Sequence, residues 1–124
     1  MIDCRSVVGK PFKIHGRDLN GFDCLGLCLY MSRQEGKELP DVPYKDINVN
    51  KDECFLDIAR LNFGKEKLER PEESCWIEFS GLGRYHVGFY IGRGLFVHAS
   101  FEKKKVVIES LAKWKNRIKG FYRV

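Results

Sequence analysis

The chain has 124 residues, of which 44% are hydrophobic and 13% aromatic. This length suits one compact domain over residues 1–124, and this composition can fill an ordinary core, which excludes general disorder. The formal charge is +5, from 22 basic and 17 acidic residues, with the basic excess towards the C-terminus. Such an excess suits an anionic surface or simply a solvated face, so net charge alone assigns no partner.

Five cysteines are dispersed along the chain, at Cys4, Cys24, Cys28, Cys54 and Cys75. An odd count argues against a secreted disulfide framework, and the lack of a Cys-x-x-Cys pair gives no support to a zinc ribbon or a thioredoxin-type motif. We expect most of these thiols to be small buried hydrophobes.

Targeting signals are not visible in the sequence. No apolar run approaches the roughly 20 residues of a membrane span. Residues 1–6 lack a basic stretch followed by an apolar one, so no Sec-type signal peptide is visible. We therefore expect synthesis in the cytoplasm and no membrane span.

The first half of the chain predicts helices. Residues 23 to about 34 have apolar residues at helical spacing, and Gly36 ends that helix. Two prolines indicate a loop over residues 39–43. Residues 52–63 then resemble a short amphipathic helix, closed by Gly64.

After Pro71 the pattern changes to short β-rich runs, which are residues 75–79, 85–91, 95–100 and 105–109. Residues 110–118 predict a final helix, and residues 120–124 a closing strand. Helices first and a meander of strands afterwards predict an α+β fold, with an antiparallel sheet of about five strands.

The start of the first helix carries Cys24 directly after Asp23, which we expect to cap that helix. Unpaired backbone N–H groups and the positive end of the helix dipole favour a thiolate there, so we expect a lowered Cys24 pKa. A reactive cysteine also needs a base, and the chain has three histidines.

Two of the histidines lie in the predicted hairpin of residues 85–100. A two-residue turn would pair Phe89 with His98 and place His86 and His98 on opposite faces. A three-residue loop pairs Tyr90 with Phe96, and His86 is then diagonal to His98 on one face, at roughly 7–8 Å. We expect the second register, because two glycines in the loop make it accessible.

This arrangement predicts nucleophilic catalysis by a cysteine. His86 would take the Cys24 proton, His98 would orient His86, and the Cys24 N–H could form part of an oxyanion hole. A single histidine is most often an ordinary polar residue, but two on one strand face, with Asp-Cys at a helix start, favour a hydrolase.

Three segments resemble the NlpC family of papain-like cell-wall peptidases. They are Asp-Cys-Leu-Gly-Leu at residues 23–27, His-Val-Gly-Phe-Tyr-Ile-Gly at 86–92, and Phe-Val-His-Ala at 96–99. Residues 9–12, 38–41 and 109–123 are similar to members from phage tails and prophage-like elements.

The resemblance implies a papain-like domain with its nucleophile helix packed on the sheet. Its implied catalytic residues are Cys24 as nucleophile, His86 as base and His98 as orienter, with no cofactor and no metal. The implied reaction is cleavage of a peptidoglycan stem peptide, commonly between D-γ-glutamyl and a diamino acid. Phage tail proteins are implied partners, and the cell wall is the implied place of action.

Three further residues are candidates for substrate binding. Asp23 is one because the adjacent residue can touch substrate in this family, and His15 is another because it lies in the loop before the nucleophile. Phe12 stands where many members have a tyrosine, so the resemblance implies that a hydroxyl donor is missing.

Two alternative functions remain open, and one class of partner is disfavoured. Cys24, Cys28, His86 and His98 could form a two-thiolate, two-imidazole zinc site. A non-catalytic tail-assembly or wall-binding module of the same fold is the other alternative. Nucleic-acid binding is disfavoured, because the lysines lack interleaved exposed aromatic residues.

Overall fold

A computed structural model of the chain describes residues 1–41, 66–82 and 86–124. In those ranges the strands and the α-helix are, in chain order, β1 Arg17–Asp18, β2 Gly21–Phe22, α1 Cys24–Gln34, β3 Glu66–Leu68, β4 Trp76–Phe79, β5 His86–Gly92, β6 Leu95–Ser100, β7 Lys105–Ser110 and β8 Ile118–Arg123. The predicted helix over residues 52–63 lies outside the described residues.

Helix α1 begins and ends as the sequence predicts. The Asp23 side chain accepts a hydrogen bond from the Gly26 N–H, which confirms Asp23 as the N-cap. At the other end, the Gly36 N–H donates to the Arg33 carbonyl, with Gly36 at a φ of 84° that favours glycine. The short antiparallel pair of β1 and β2 leads into the helix.

The described part of the chain forms a six-stranded antiparallel sheet in the order β3-β8-β4-β5-β6-β7. This confirms the predicted α+β architecture. The sheet has one strand more than expected, because β3, in a segment for which the sequence predicted no strand, pairs with β8. No helix in the described ranges is long and apolar enough to cross a membrane.

The sheet has a different core on each face. On one face α1 packs against alternate residues of the central strands, among them Val87, Phe89 and Val97. A hydrogen bond of 3.0 Å from the Trp76 indole to the Ser32 hydroxyl ties α1 to β4. On the other face Phe79 and Phe96 belong to a mainly aromatic cluster. Because α1 packs on one face of the antiparallel sheet, the start of α1 lies close to the start of β5.

The last predicted helix is a 3₁₀ helix, Leu111–Arg117, which is tighter than an α-helix. Ser110 caps it by accepting a hydrogen bond of 3.2 Å from the Ala112 N–H. The closing strand begins at Ile118, two residues before the predicted start, because its pairing with β4 already includes Phe79 and Ile118.

Candidate active site

Cys24 lies where α1 meets the beginning of β5. The backbone N–H groups of Leu25 and of Val87, the residue that follows His86, are close enough to its thiol to stabilise the ionised form. The cysteine is 5% exposed. The fold thus brings the sulfur of Cys24 to the strand position next to His86.

The expected lowering of the Cys24 pKa is wrong. Burial raises the pKa of the Cys24 thiol to about 12, and the Asp23 carboxylate adds to the increase. The N–H groups of Leu25 and Val87 and the Arg17 guanidinium act in the opposite direction, but their effect is smaller. Loss of water around the sulfur outweighs the helix terminus, so the resting side chain is a thiol.

The β5–β6 hairpin combines features of both predicted registers. Gly92 pairs with Leu95 across a two-residue turn, in which Arg93 and Gly94 have φ angles of 55° and 73°. A bulge between Tyr90 and Gly92 then shifts the register, so that Tyr90 pairs with Phe96. The expected pairing is therefore confirmed beyond the bulge.

This register brings the two histidines together. His86 Nε2 and His98 Nδ1 are 2.7 Å apart, within hydrogen-bond distance. Burial lowers the pKa of His98, although the neighbouring Glu109 carboxylate opposes that shift, so His98 is neutral near pH 7. The structure thus forms the predicted histidine pair.

Glu109 is a site residue that the sequence analysis did not identify. Its Oε2 is 2.8 Å from His98 Nε2 and accepts a hydrogen bond of 2.8 Å from the Trp114 indole N–H. The side chain of Lys103 donates to its Oε1 at 2.6 Å. Strand alternation contained the signal, because Val107 pairs with His98 and Glu109 follows two residues later on the same face.

Aromatic rings surround the histidine pair on the outer face of the sheet. Trp114 lies with its ring centroid 6.2 Å from that of His86 and 5.4 Å from that of His98. Phe96 and Phe79 are nearest to the space that a Gly88 side chain would occupy, at 2.9 and 3.2 Å.

A small cavity of about 20 Å³ adjoins the pair, with room for about one water molecule. Its lining includes both imidazoles and five other residues, namely Leu82, Ser100, Phe101, Glu102 and Trp114. The histidines therefore have a polar opening on this side, although both are almost fully buried.

Asp23 binds the loop before the nucleophile. Its Oδ1 accepts hydrogen bonds of 2.7 Å from the Gly26 N–H and 2.8 Å from Arg17 Nη1, and its Oδ2 accepts one of 3.0 Å from the His15 N–H. The Asp23 carboxylate is 2% exposed, whereas the His15 side chain is exposed. Substrate contact by either residue stays a prediction.

Phe12 contacts Phe101, which is one of the residues that line the cavity. Its ring packs edge-on against the ring of Phe101, with centroids 5.5 Å apart. Its backbone N–H donates to the Lys104 carbonyl at 2.9 Å, which anchors the N-terminal segment to the turn after β6. Phe12 thus supplies packing at this position, and its contact with substrate stays a prediction.

The zinc alternative finds no support in the described residues. In the ranges 1–41, 66–82 and 86–124, no group of three or more His, Cys, Asp or Glu residues could hold a metal ion. Both ring nitrogens of His98 are within hydrogen-bond distance of protein partners, His86 and Glu109.

Similar proteins were found among sequences and solved structures. The chain is 31% identical over 119 residues to the murein DD-endopeptidase/murein LD-carboxypeptidase MepS of Escherichia coli K12, and the match covers 94% of this chain and 56% of that protein. It is 25% identical to the probable peptidoglycan endopeptidase LytE of Bacillus subtilis, covering 95% of this chain and 31% of LytE. The chain thus spans about a third to a half of these relatives.

Solved structures show the same fold. The NlpC/p60 domain of the peptidoglycan hydrolase SagA has a TM-score of 0.66 at 18% identity, covering 94% of this chain and 89% of that one. The peptidoglycan hydrolase RipB of Mycobacterium tuberculosis has a TM-score of 0.62 at 20% identity, covering 95% of this chain and 59% of that one.

A family model also matches almost the whole chain. The model of the NlpC/P60 family aligns with residues 9–123, which include the start of α1 and both hairpin histidines. The chain therefore belongs to the NlpC/P60 family.

Proposed function

We propose that this protein is a cysteine peptidase that cleaves an amide bond in peptidoglycan stem peptides. Cys24 is the nucleophile, His86 the base and His98 the residue that orients His86. The observation that carries the proposal is the 2.7 Å contact between His86 and His98, at the strand start whose Val87 N–H stabilises the ionised form of the Cys24 sulfur. The names of the relatives, which describe murein and peptidoglycan endopeptidases, support the substrate class.

The reaction balances with these residues alone. The Cys24 sulfur attacks the carbonyl carbon of the scissile amide while its proton passes to His86. His86 then gives that proton to the leaving nitrogen, the C–N bond breaks, and an acyl thioester remains on Cys24. Water attacks the thioester with His86 as base, which releases the carboxylic acid and restores the thiol.

The raised pKa of Cys24 determines when the proton moves. Because the resting site holds a neutral thiol, His86 must remove the proton as the sulfur attacks, as a general base does. The backbone N–H of Cys24 lies at the start of α1 and is our candidate donor for the developing oxyanion. Bound substrate is then expected to promote ionisation that the free protein disfavours.

Our proposals for the scissile bond and the biological setting rest on the family resemblance. We propose a bond between D-γ-glutamyl and a diamino acid, the type that the resemblance implies. We also propose that the protein is made in the cytoplasm and acts at the cell wall, with phage tail proteins as partners.

Purified muropeptides test the activity directly. The protein is incubated with them and the products are identified by mass spectrometry, beside the variants Cys24→Ala and Cys28→Ala. Cys28 is a matched control, because it is a buried cysteine one helical turn after Cys24. We expect cleavage by the wild type and by Cys28→Ala, and none by Cys24→Ala.

Each other outcome has a distinct meaning. Products that persist with Cys24→Ala would show that Cys24 is not the nucleophile. Binding of muropeptides by the folded wild type without any cleavage would favour the non-catalytic wall-binding module. Cleavage at another bond would support the proposed peptidase activity but would contradict the proposed D-γ-glutamyl specificity.

A further inference from the structure

Glu109 lies near the end of β7, beside the histidine pair. Three donors converge on its carboxylate: His98 Nε2 and the Trp114 indole N–H at Oε2, both at 2.8 Å, and the Lys103 side chain at Oε1, at 2.6 Å. These donors come from β6, from the 3₁₀ helix and from the turn between β6 and β7. Glu109 is thus held in one position from three sides.

The hydrogen-bond chain dictates where the protons are. An ionised carboxylate only accepts hydrogen bonds, so the contact with Glu109 requires a proton on His98 Nε2. Neutral His98 then has a lone pair on Nδ1, which accepts from His86 Nε2–H across 2.7 Å. Neutral His86 is left with its lone pair on Nδ1, the nitrogen that can accept a proton.

We propose that Glu109 is a positioning residue that fixes the tautomers of both histidines. Its carboxylate holds the His98 proton on Nε2, and His98 in turn holds the His86 proton on Nε2, so that His86 Nδ1 is the basic nitrogen. The use of that nitrogen on Cys24 rests on the proposed function, whereas the tautomers themselves do not.

The charge of Glu109 acts in the same direction. Burial would raise the Glu109 pKa, but the hydrogen bonds from Lys103 and His98 outweigh burial and lower it, so the carboxylate is ionised near pH 7. When His86 becomes an imidazolium during the reaction, this negative charge lies at the far end of the hydrogen-bonded chain and favours it. Lys103, itself close to Glu102, partly offsets that charge from an exposed position.

The tautomers can be measured without any substrate. Long-range ¹H–¹⁵N spectra of histidine rings distinguish Nδ1–H from Nε2–H, and the chain has only three histidines to assign. We expect Nε2–H for both His86 and His98 in the wild type. In Glu109→Met, which removes the acceptor at similar size, we expect a mixture of tautomers at both rings.

Glu109→Gln separates the acceptor from the charge. Its amide oxygen can accept from His98, but its NH₂ group then faces the Lys103 ammonium. The double variant Glu109→Gln with Lys103→Met removes that conflict, so we expect it to keep Nε2–H at His98 better than Glu109→Gln alone. Glu38→Gln is the control, since it removes one carboxylate from an exposed position in the loop after α1.

Kinetics on muropeptides give the second readout. Carboxylates that orient metal-bound histidines typically contribute about 10- to 100-fold, and we expect an effect of similar size for Glu109, which orients a histidine in the same way. We therefore expect kcat for Glu109→Met to fall by about that factor with little change in KM, and the double variant to recover part of the loss. Glu38→Gln should retain wild-type values.

The proposal is overturned if His98 carries its proton on Nδ1 in the wild type. It is also overturned if folded Glu109→Met keeps both wild-type tautomers, because Glu109 would then only anchor the turn and the 3₁₀ helix. Failure of the proposed function alone would leave the tautomer shifts intact and abolish only the kinetic readout, so the two failures are distinguishable.

Discussion

At the scale of single residues, the Cys24 thiol is the side chain whose chemistry depends most on its surroundings. Because burial and Asp23 raise its pKa to about 12, its thiolate fraction stays small up to pH 10. We predict that iodoacetamide labels Cys24 more slowly than a model thiol at pH 7, with a rate that rises continuously up to pH 10. Peptide-resolved mass spectrometry measures the rate at Cys24 separately from the other cysteines.

Asp23→Asn is the informative variant for this experiment. Asparagine can still cap α1 through its side-chain oxygen, but it removes the negative charge beside the thiol. We therefore expect faster labelling of Cys24 in the variant at the same pH. Labelling of wild-type Cys24 at pH 6 faster than the model thiol would contradict the raised pKa.

The residues of the site were predictable to the extent that local patterns determine them. Alternation along β5 and β6 placed His86 and His98 on one face, and the Asp-Cys order placed Cys24 at a helix start. The protonation state of Cys24 was not predictable, because it depends on how completely β5 covers the helix end. Glu109 was missed because its role requires the pairing of β7 with β6.

At the scale of elements, the turn between β5 and β6 sets the register that brings the histidines together. Gly94 has a φ of 73°, and a side chain there would meet no atom within 4 Å, so only backbone strain opposes substitution. We predict that Gly94→Val lowers the free energy of unfolding by about 1–2 kcal/mol. Gly94→Asn should cost much less, since asparagine tolerates this conformation.

Urea denaturation of the two Gly94 variants tests this prediction. Both substitutions keep the Gly94 N–H that donates to the Tyr90 hydroxyl and the carbonyl that accepts from the Leu111 N–H. The comparison therefore isolates the backbone conformation. Equal stability of the valine and asparagine variants would show that the turn adopts another geometry in solution.

The strands whose patterns are strong were predicted well. Strand β6 has the bounds that the sequence indicates, residues 95–100, because a glycine precedes this β-rich segment and the charged residues 102–105 follow soon after it. Strand β3 was not predicted, since the segment Glu66–Leu68 is polar and gains its place only by pairing with β8. The bulge in β5 was likewise missed, because a bulge depends on how the conformation of the turn residues fits the twist of the two paired strands.

At the scale of the whole molecule, the buried thiols make folding sensitive to alkaline pH. Burial raises the pKa of Cys24 to about 12 and that of Cys75 to about 11, and it raises that of Cys28 well above its ordinary value. Above about pH 9 the unfolded chain therefore loses thiol protons that the folded chain keeps. The stabilisation from each thiol is complete below the unfolded pKa and is lost as pH rises towards the folded pKa.

Cys28 offers the clearest measurement of this linkage, because it is fully buried and is not part of the proposed catalytic machinery. Each such thiol lowers the free energy of unfolding by up to about 1.4 kcal/mol per pH unit between its two pKa values. From about pH 9.5 to about pH 10.5, we predict that stability falls less steeply in Cys28→Ala than in the wild type, by about 1 kcal/mol per pH unit. Denaturant titrations under reducing conditions measure both slopes. The cavity left by alanine adds a cost that is the same at every pH, and titrating groups that do not interact with Cys28 cancel in the difference. Parallel slopes would therefore mean that Cys28 ionises as easily in the folded protein as in the unfolded chain.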